Sequence, residues 1–410
     1  MQFKSVFIAV FLGTALLVSA LLVNSKRPSA DTDRATVAHV RATGKCVECH
    51  RASTPAVIAE YETSAHASKG VTCLDCHQAN QGQEPYDHNG FSLAKSLSAG
   101  SCARCHKAEY DQFARSRHAL PAYAAVRGTE GLTREQIQEG ESHHAGAVDR
   151  APNQLVLLEG AGAMTKGCMG CHNIGAPNSD GSIGSCTACH GRHMASVALA
   201  REPNTCGQCH MGPDHSQMEI YTESKHGVLY HSRRAQMNLA ADPKKLTTKD
   251  MPVPTCATCH MSGIDGRKVT HDTTERLTHW LFAPISKKRP GARQGEIEMK
   301  ETCKKCHATR TVDRFYSEAA VVLKSTNDKV AKAAALMKGL RDEGLLTKEP
   351  FDEEIEFVYF DFWHYYGHTA KHGAYMGGAD FVQWHGNYEL LKLQVELEKM
   401  AKELRKNHGK

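Results

Sequence analysis

Sixteen cysteines at one repeated spacing carry the chemistry of this chain. Each lies in a Cys-x-x-Cys-His pentapeptide: Cys46 and Cys49 precede His50, Cys73 and Cys76 precede His77, Cys102 and Cys105 precede His106, and Cys168 and Cys171 precede His172. Cys186 and Cys189 precede His190, Cys206 and Cys209 precede His210, Cys256 and Cys259 precede His260, and Cys303 and Cys306 precede His307. Two thiols at this spacing can each form a thioether to one porphyrin vinyl group, while the next imidazole reaches the iron from below. A lone copy could equally be a redox dithiol or half of a zinc site. Eight copies with no cysteine left over leave those readings little room, because zinc knuckles do not require histidine directly after each pair. The expected cofactors are eight covalently bound haem c groups with their irons.

An electron-transfer haem takes a second imidazole on its far side, whereas a catalytic haem leaves that position open. The chain has 25 histidines, well beyond the eight proximal ones and the seven more needed if a single haem is open. Ser64-Ala65-His66-Ala67, Ser116-Arg117-His118-Ala119 and Ser224-Lys225-His226-Gly227 repeat Ser-x-His before a small residue, which would let a porphyrin plane approach closely. His88, His193 and His271 each lie near an attachment motif in the sequence. His66, His88, His118, His193, His226 and His271 are therefore the expected distal ligands. The seventh is expected from the C-terminal stretch, where His364, His368 and His372 share one helical face and His385 follows a Gly-Gly break; His372 and His385 are the candidates.

These ligands need a scaffold. At 410 residues the length would suggest two or three domains, but haem macrocycles supply buried apolar surface, and the text between motifs is rich in Gly, Ser, Asn and Pro. One mainly α, loop-rich, haem-packed cytochrome core is expected over residues 26–310. From 311 to 410 the chain lacks cysteine and reads as two or three long helices, broken at Pro350 and Gly377-Gly378, that cap the core or pack between copies. Residues 1–25 hold Lys4 and an apolar run, which reads as a secretory signal or an uncleaved membrane anchor. Either places the body in the periplasm, where haem attachment keeps the thiols from forming disulfides. A formal charge of +5 with no basic run longer than Lys287-Lys288-Arg289 argues against nucleic acid and suits a small anion or an acidic redox partner.

The eight motifs, the Ser-x-His elements, the run His210-Met211-Gly212-Pro213-Asp214-His215 and the block from His372 to Gly386 together resemble the octahaem hydroxylamine oxidoreductase family over essentially the whole exported region. The resemblance implies that the fourth haem, on Cys168, Cys171 and His172, is catalytic and that the other seven are bis-histidine wires. It further implies that Asp214 and His215 lie over the open iron, that Tyr316 is a pocket tyrosine, and that the protein is a homotrimer. An imidazole oriented by a carboxylate can exchange protons at neutral pH, so the Asp214–His215 role also makes chemical sense. Members that oxidise hydroxylamine carry a tyrosine bonded to the catalytic porphyrin. Phe381 stands where that tyrosine is placed and has no phenol to couple, although Tyr375 or Tyr388 could be the counterpart. Members without the cross-link run in reverse.

The resulting expectation is a periplasmic octahaem oxidoreductase that reduces nitrite or hydroxylamine toward ammonia. Its electrons would come from a membrane quinol-oxidising cytochrome or a soluble cytochrome c. Hydroxylamine oxidation, a non-catalytic electron conduit, and sulfur oxyanions such as tetrathionate as substrates are the alternatives.

Overall fold

Short helices around the cysteine motifs and three long helices at the C-terminal end make the protein mainly α. The computed structural model describes residues 40–409, so the leader or anchor read over residues 1–25 lies outside the described residues. No helix among the described residues is long and apolar enough to cross a membrane.

The attachment motifs sit in helical turns such as Lys45–Ser53, Cys73–His77, Thr187–His190 and Cys256–His260. Helical turns put residues three and four apart on one face, so both thiols and the following imidazole serve one ligand. Local capping fixes where these turns begin. The Asp75 carboxylate accepts from the Thr72 backbone N–H at 2.6 Å and from its hydroxyl at 2.7 Å. Thr255 and Thr258 close the same kind of box ahead of Cys256.

Distal candidates are held by equally local devices. In Ser64-Ala65-His66 and Ser224-Lys225-His226 the serine is a helix N-cap, its Oγ accepting from the N–H of Ala67 at 3.1 Å and of Gly227 at 3.2 Å. Ser116 Oγ accepts from the His118 N–H at 3.2 Å. At Gly227 the neighbouring backbone sets its own demand for a small residue. A Cβ on Gly227 would lie 2.0 Å from the Tyr221 carbonyl oxygen, so glycine is demanded by the neighbouring backbone. His88 ends the first strand of the single described sheet, Pro85–His88 paired antiparallel with Phe91–Ala94. Its turn residues Asn89 and Gly90 both have positive φ, 54° and 82°, the conformation that a two-residue hairpin requires.

Beyond the last motif, Thr309–Asp342 runs as a 34-residue helix. Glu354–Met376 follows as a helix with a wide π-helical stretch, Asp361–Gly367, inside it, and Gly377, at φ 76°, ends it. The last segment runs from Ala379 to Asn407. These helices share a core of Val330, Met337, Leu340, Ile355, Phe362, Leu390 and Leu397. Of the helical periodicity visible in the sequence, Leu390 and Leu397 point inward, while Leu391 and Val395 are 56% and 69% exposed.

Candidate haem sites and catalytic pocket

Six pairs of histidine rings face each other across one continuous cavity of about 4200 Å³ lined by all eight motifs. The centroid separations are 6.0 Å for His50–His88, 6.1 Å for His66–His106, 6.2 Å for His77–His193 and 5.7 Å for His118–His210. His190–His271 and His226–His307 are 6.3 and 5.9 Å apart. Two imidazoles on opposite sides of one metal, each bonded at roughly 2 Å with its ring centre about 1 Å behind the nitrogen, should be roughly 6 Å apart. Each pair joins a motif histidine to one of the six distal candidates read from the sequence. The donor set therefore fits iron held between imidazoles, with thiols placed for the porphyrin edge.

Surrounding groups orient the rings. His172 Nδ1 faces the Ala122 carbonyl at 2.6 Å, His50 Nδ1 the Thr54 hydroxyl at 2.8 Å, and His210 Nδ1 the Gln217 side-chain oxygen at 3.3 Å, which leaves Nε2 free to ligate. Burial depresses His118 to about 3 and His210 and His260 to about 4, so these rings are neutral at pH 7, the form that binds metal.

Contacts between thiols give the order of motifs in space. Cys46 lies beside Cys73, Cys76 near Cys102, Cys102 beside Cys186 and Cys189 near Cys206. Cys206 lies beside Cys256 and Cys259 near Cys303, while Cys171 lies beside Cys209. The motifs thus run first, second, third, fifth, sixth, seventh and eighth, with the fourth branching from the sixth.

At that branch His215 faces His172 at 6.4 Å, its plane tilted by 83°. The six pairs above have tilts of 14° to 58°. His215 Nδ1 lies 2.6 Å from the Asp214 carboxylate. Burial acts to raise the Asp214 carboxyl, but the hydrogen bond and charge of His215 outweigh it and hold the group below its ordinary value. Phe282 packs on His215 at 4.9 Å and on His372 at 4.6 Å. The loop carrying Phe282 is tied down by the fully buried Lys371, whose Nζ donates to the Ala283 carbonyl at 2.7 Å. Two π-helical stretches border this pocket, Met164–Cys168 ahead of the fourth motif and Asp361–Gly367, which carries His364. Such widened turns recur at functional sites because they re-aim side chains without ending the helix.

Three sequence expectations are corrected here. Tyr316 is not at this pocket: its neighbours are Tyr375 at 6.2 Å, Lys300 over its ring at 4.9 Å, and the thiols of Cys259 and Cys303. The tyrosine near Asp214 is Tyr365, raised by burial and then by Asp361 and Asp214. His385 lies off the cavity, 60% exposed, with Nε2 3.0 Å from Asp380, because the π-helical turn Gln383–Tyr388 points it outward. His372 does line the cavity, but it bonds the His368 carbonyl at 2.9 Å and stacks on Phe282 beside His215, with no facing motif histidine. Phe381 is buried against His385 at 5.0 Å, Tyr375 sits with His279, and Tyr388 is half-exposed.

One further histidine, His279, lies outside the set expected from the sequence. Its ring lines the cavity, and its Nδ1 faces the Thr278 hydroxyl at 2.9 Å and the Tyr375 phenol at 3.4 Å. The available signal was the threonine before it, Thr278, matching Thr270 before His271; the bulky Trp280 after it breaks the small-residue pattern.

The arrangement has relatives. A curated Kuenenia stuttgartiensis protein described as a probable nitrite reductase-hydroxylamine oxidoreductase fusion protein is 28% identical over 227 residues, 53% of this chain, and the chain spans about a quarter of its length. A solved structure titled hypothetical multiheme protein superposes with a TM-score of 0.75 at 22% identity, covering 89% of this chain and 96% of its own. A chain of the Kuenenia stuttgartiensis reducing HAO-like protein complex gives a TM-score of 0.65 at 20% identity, covering 89% and 85%. At these identities the superpositions establish the fold alone, which this chain shares with both structures. The family description "Seven times multi-haem cytochrome CxxCH" matches residues 69–352, a span holding seven of the eight motifs and leaving out Cys46–His50. With six of its motif histidines facing partner imidazoles at iron-spanning distance, this chain belongs to the multi-haem cytochrome CxxCH family.

Proposed function

We propose that this chain is an exported oxidoreductase that carries eight haems and reduces nitrite or hydroxylamine toward ammonia at the fourth. The observation that carries the reading is the Asp214–His215 pair set against His172, at the branch from the sixth motif. A haem on Cys168, Cys171 and His172 would supply the open coordination position and the path for electrons. The protein's part is proton handling and enclosure. Asp214 accepts the His215 Nδ1–H and fixes the tautomer, so Nε2 is the atom that meets substrate. Phe282 packs against His215 and His368, Trp363 packs against His368 from another side, and Tyr365 adds a hydroxyl near Asp214.

The remaining motif histidine without a facing ring among the described contacts is His260. We assign His279 as its partner, because Tyr375 joins His279 to Tyr316, which lies by Cys259. That completes seven bis-histidine sites around one open position. The fusion relative is described as a probable nitrite reductase-hydroxylamine oxidoreductase, which supports the substrate class. The direction rests on Phe381, which cannot form a tyrosine–porphyrin link. Export to the periplasm, a homotrimer, and a quinol-oxidising or soluble cytochrome as donor are part of the same proposal.

A second reading, an electron conduit without a substrate site, draws on one observation: the 6.4 Å spacing of His172 and His215 is also what a shared metal would produce. The deciding experiment supplies the holoprotein with nitrite and reduced viologen and quantifies ammonia. Ammonia formation supports the enzyme, and its absence with every iron reducible supports the conduit. A proteolytic haem peptide with a third covalent link would reverse the assigned direction.

A further inference from the structure

His368 is 1% exposed, yet neither of its ring nitrogens has a hydrogen-bond partner. Buried polar atoms in folded proteins are almost always satisfied, so an orphaned imidazole that lines a cavity points to a polar group in that cavity. The ring is boxed by edges: Phe282 at 5.4 Å, Trp363 at 5.5 Å and His364 at 5.0 Å. His364 repeats the situation, with its Nδ1 also buried and unpartnered. Phe282 touches both His215, at 4.9 Å, and His368, so the two imidazoles flank one phenyl ring from different elements.

The number of donors then selects the ligand. His215 spends Nδ1 on Asp214 and presents only Nε2. A bent anion with two oxygens can accept from a second donor at its second oxygen, whereas hydroxylamine has only one oxygen. Building on the nitrite and hydroxylamine reading above, we propose that His368, supported by His364, is an oxyanion-binding arm that receives the second oxygen of nitrite and makes the pocket favour nitrite over hydroxylamine. Burial keeps the His368 ring neutral, with one N–H to donate. A haem propionate is the other carboxylate-like acceptor of the same donor, and the test separates the two.

The test titrates the oxidised holoprotein with nitrite and with cyanide, read from the high-spin haem spectrum, for wild type, His368→Phe and His368→Gln. Hydroxylamine KM is measured in parallel. Loss of a hydrogen bond to a charged ligand should weaken nitrite binding tenfold or more in His368→Phe. Cyanide affinity and hydroxylamine KM should stay within about threefold, and His368→Gln, which keeps a donor, should recover most of the loss. Unchanged cyanide binding shows that the variant is folded. Equal nitrite affinity in His368→Phe and wild type overturns the arm while leaving the parent reading intact. A shifted haem midpoint potential with equal nitrite affinity also overturns it, assigning His368 to a propionate. A wild-type protein with no high-spin haem overturns both.

Discussion

Replacing Asp214 by asparagine tests the proton-handling pair with minimal change of shape. The hydrogen bond to His215 Nδ1 is 2.6 Å long, and the side chains are only 28% and 33% exposed, so solvent screens it weakly. A hydrogen bond involving a charged partner contributes about 1.5–3 kcal/mol. At about 1.4 kcal/mol per decade of rate, Asp214→Asn should lower kcat about 10- to 150-fold. His215→Ala removes the proton donor itself and should cost about 10²- to 10⁴-fold, the usual range for general acid–base catalysis. The assay is ammonia formation from nitrite with reduced viologen at saturating substrate, so that kcat is separated from KM. Asp214 is held below the ordinary carboxylate range, so it stays ionised as pH falls to about 4 and should not set an acid limb above that pH. A kcat for Asp214→Asn within about threefold of wild type, with the high-spin haem retained, would refute the assignment.

Other sites give independent outcomes. Gly227→Ala brings a Cβ to 2.0 Å from the Tyr221 carbonyl oxygen and should destabilise by about 1–3 kcal/mol, seen as a lower Tm. His279→Ala should leave one further iron five-coordinate, giving a second high-spin signal; an unchanged spectrum would remove His279 from the ligand set. Asp180 receives the hydroxyls of Ser98 at 2.5 Å and Ser182 at 2.6 Å. Burial would raise its carboxyl, yet these bonds hold it below its usual value. Its stabilisation is therefore present above about pH 4 and is lost as pH falls through its lower folded value. Asp180→Asn should lose about 1–3 kcal/mol at pH 7, with the difference from wild type shrinking in acid.

Residues that act through local rules were readable in the sequence, and those that act through packing were not. Ser64 and Ser224 are helix N-caps and Ser116 holds the His118 N–H, so Ser-x-His marked three histidines that face motif histidines. Asn89-Gly90 sets a hairpin that presents His88. Tyr316 and Tyr365 could not be told apart, because each lies in a helix and only the packing of Glu354–Met376 decides which one reaches Asp214. The Gly377-Gly378 break between His372 and His385 was visible, but which ring points inward was not, because the π-helical turn Gln383–Tyr388 shifts the phase beyond it. Helical phase drifts at each widened turn, so counting in steps of 3.6 residues fails there. The branch of the fourth motif from the sixth is also invisible in chain order.

The central claim is a single vacant axial position among otherwise six-coordinate irons. Low-temperature electron paramagnetic resonance of the oxidised holoprotein, with haem counted in the same sample and cyanide then added, measures it most directly. One high-spin ferric signal per eight haems, converted to low spin by cyanide, is the predicted result. Eight low-spin irons that ignore cyanide would contradict it, and His215 would then be an axial ligand instead of a proton donor.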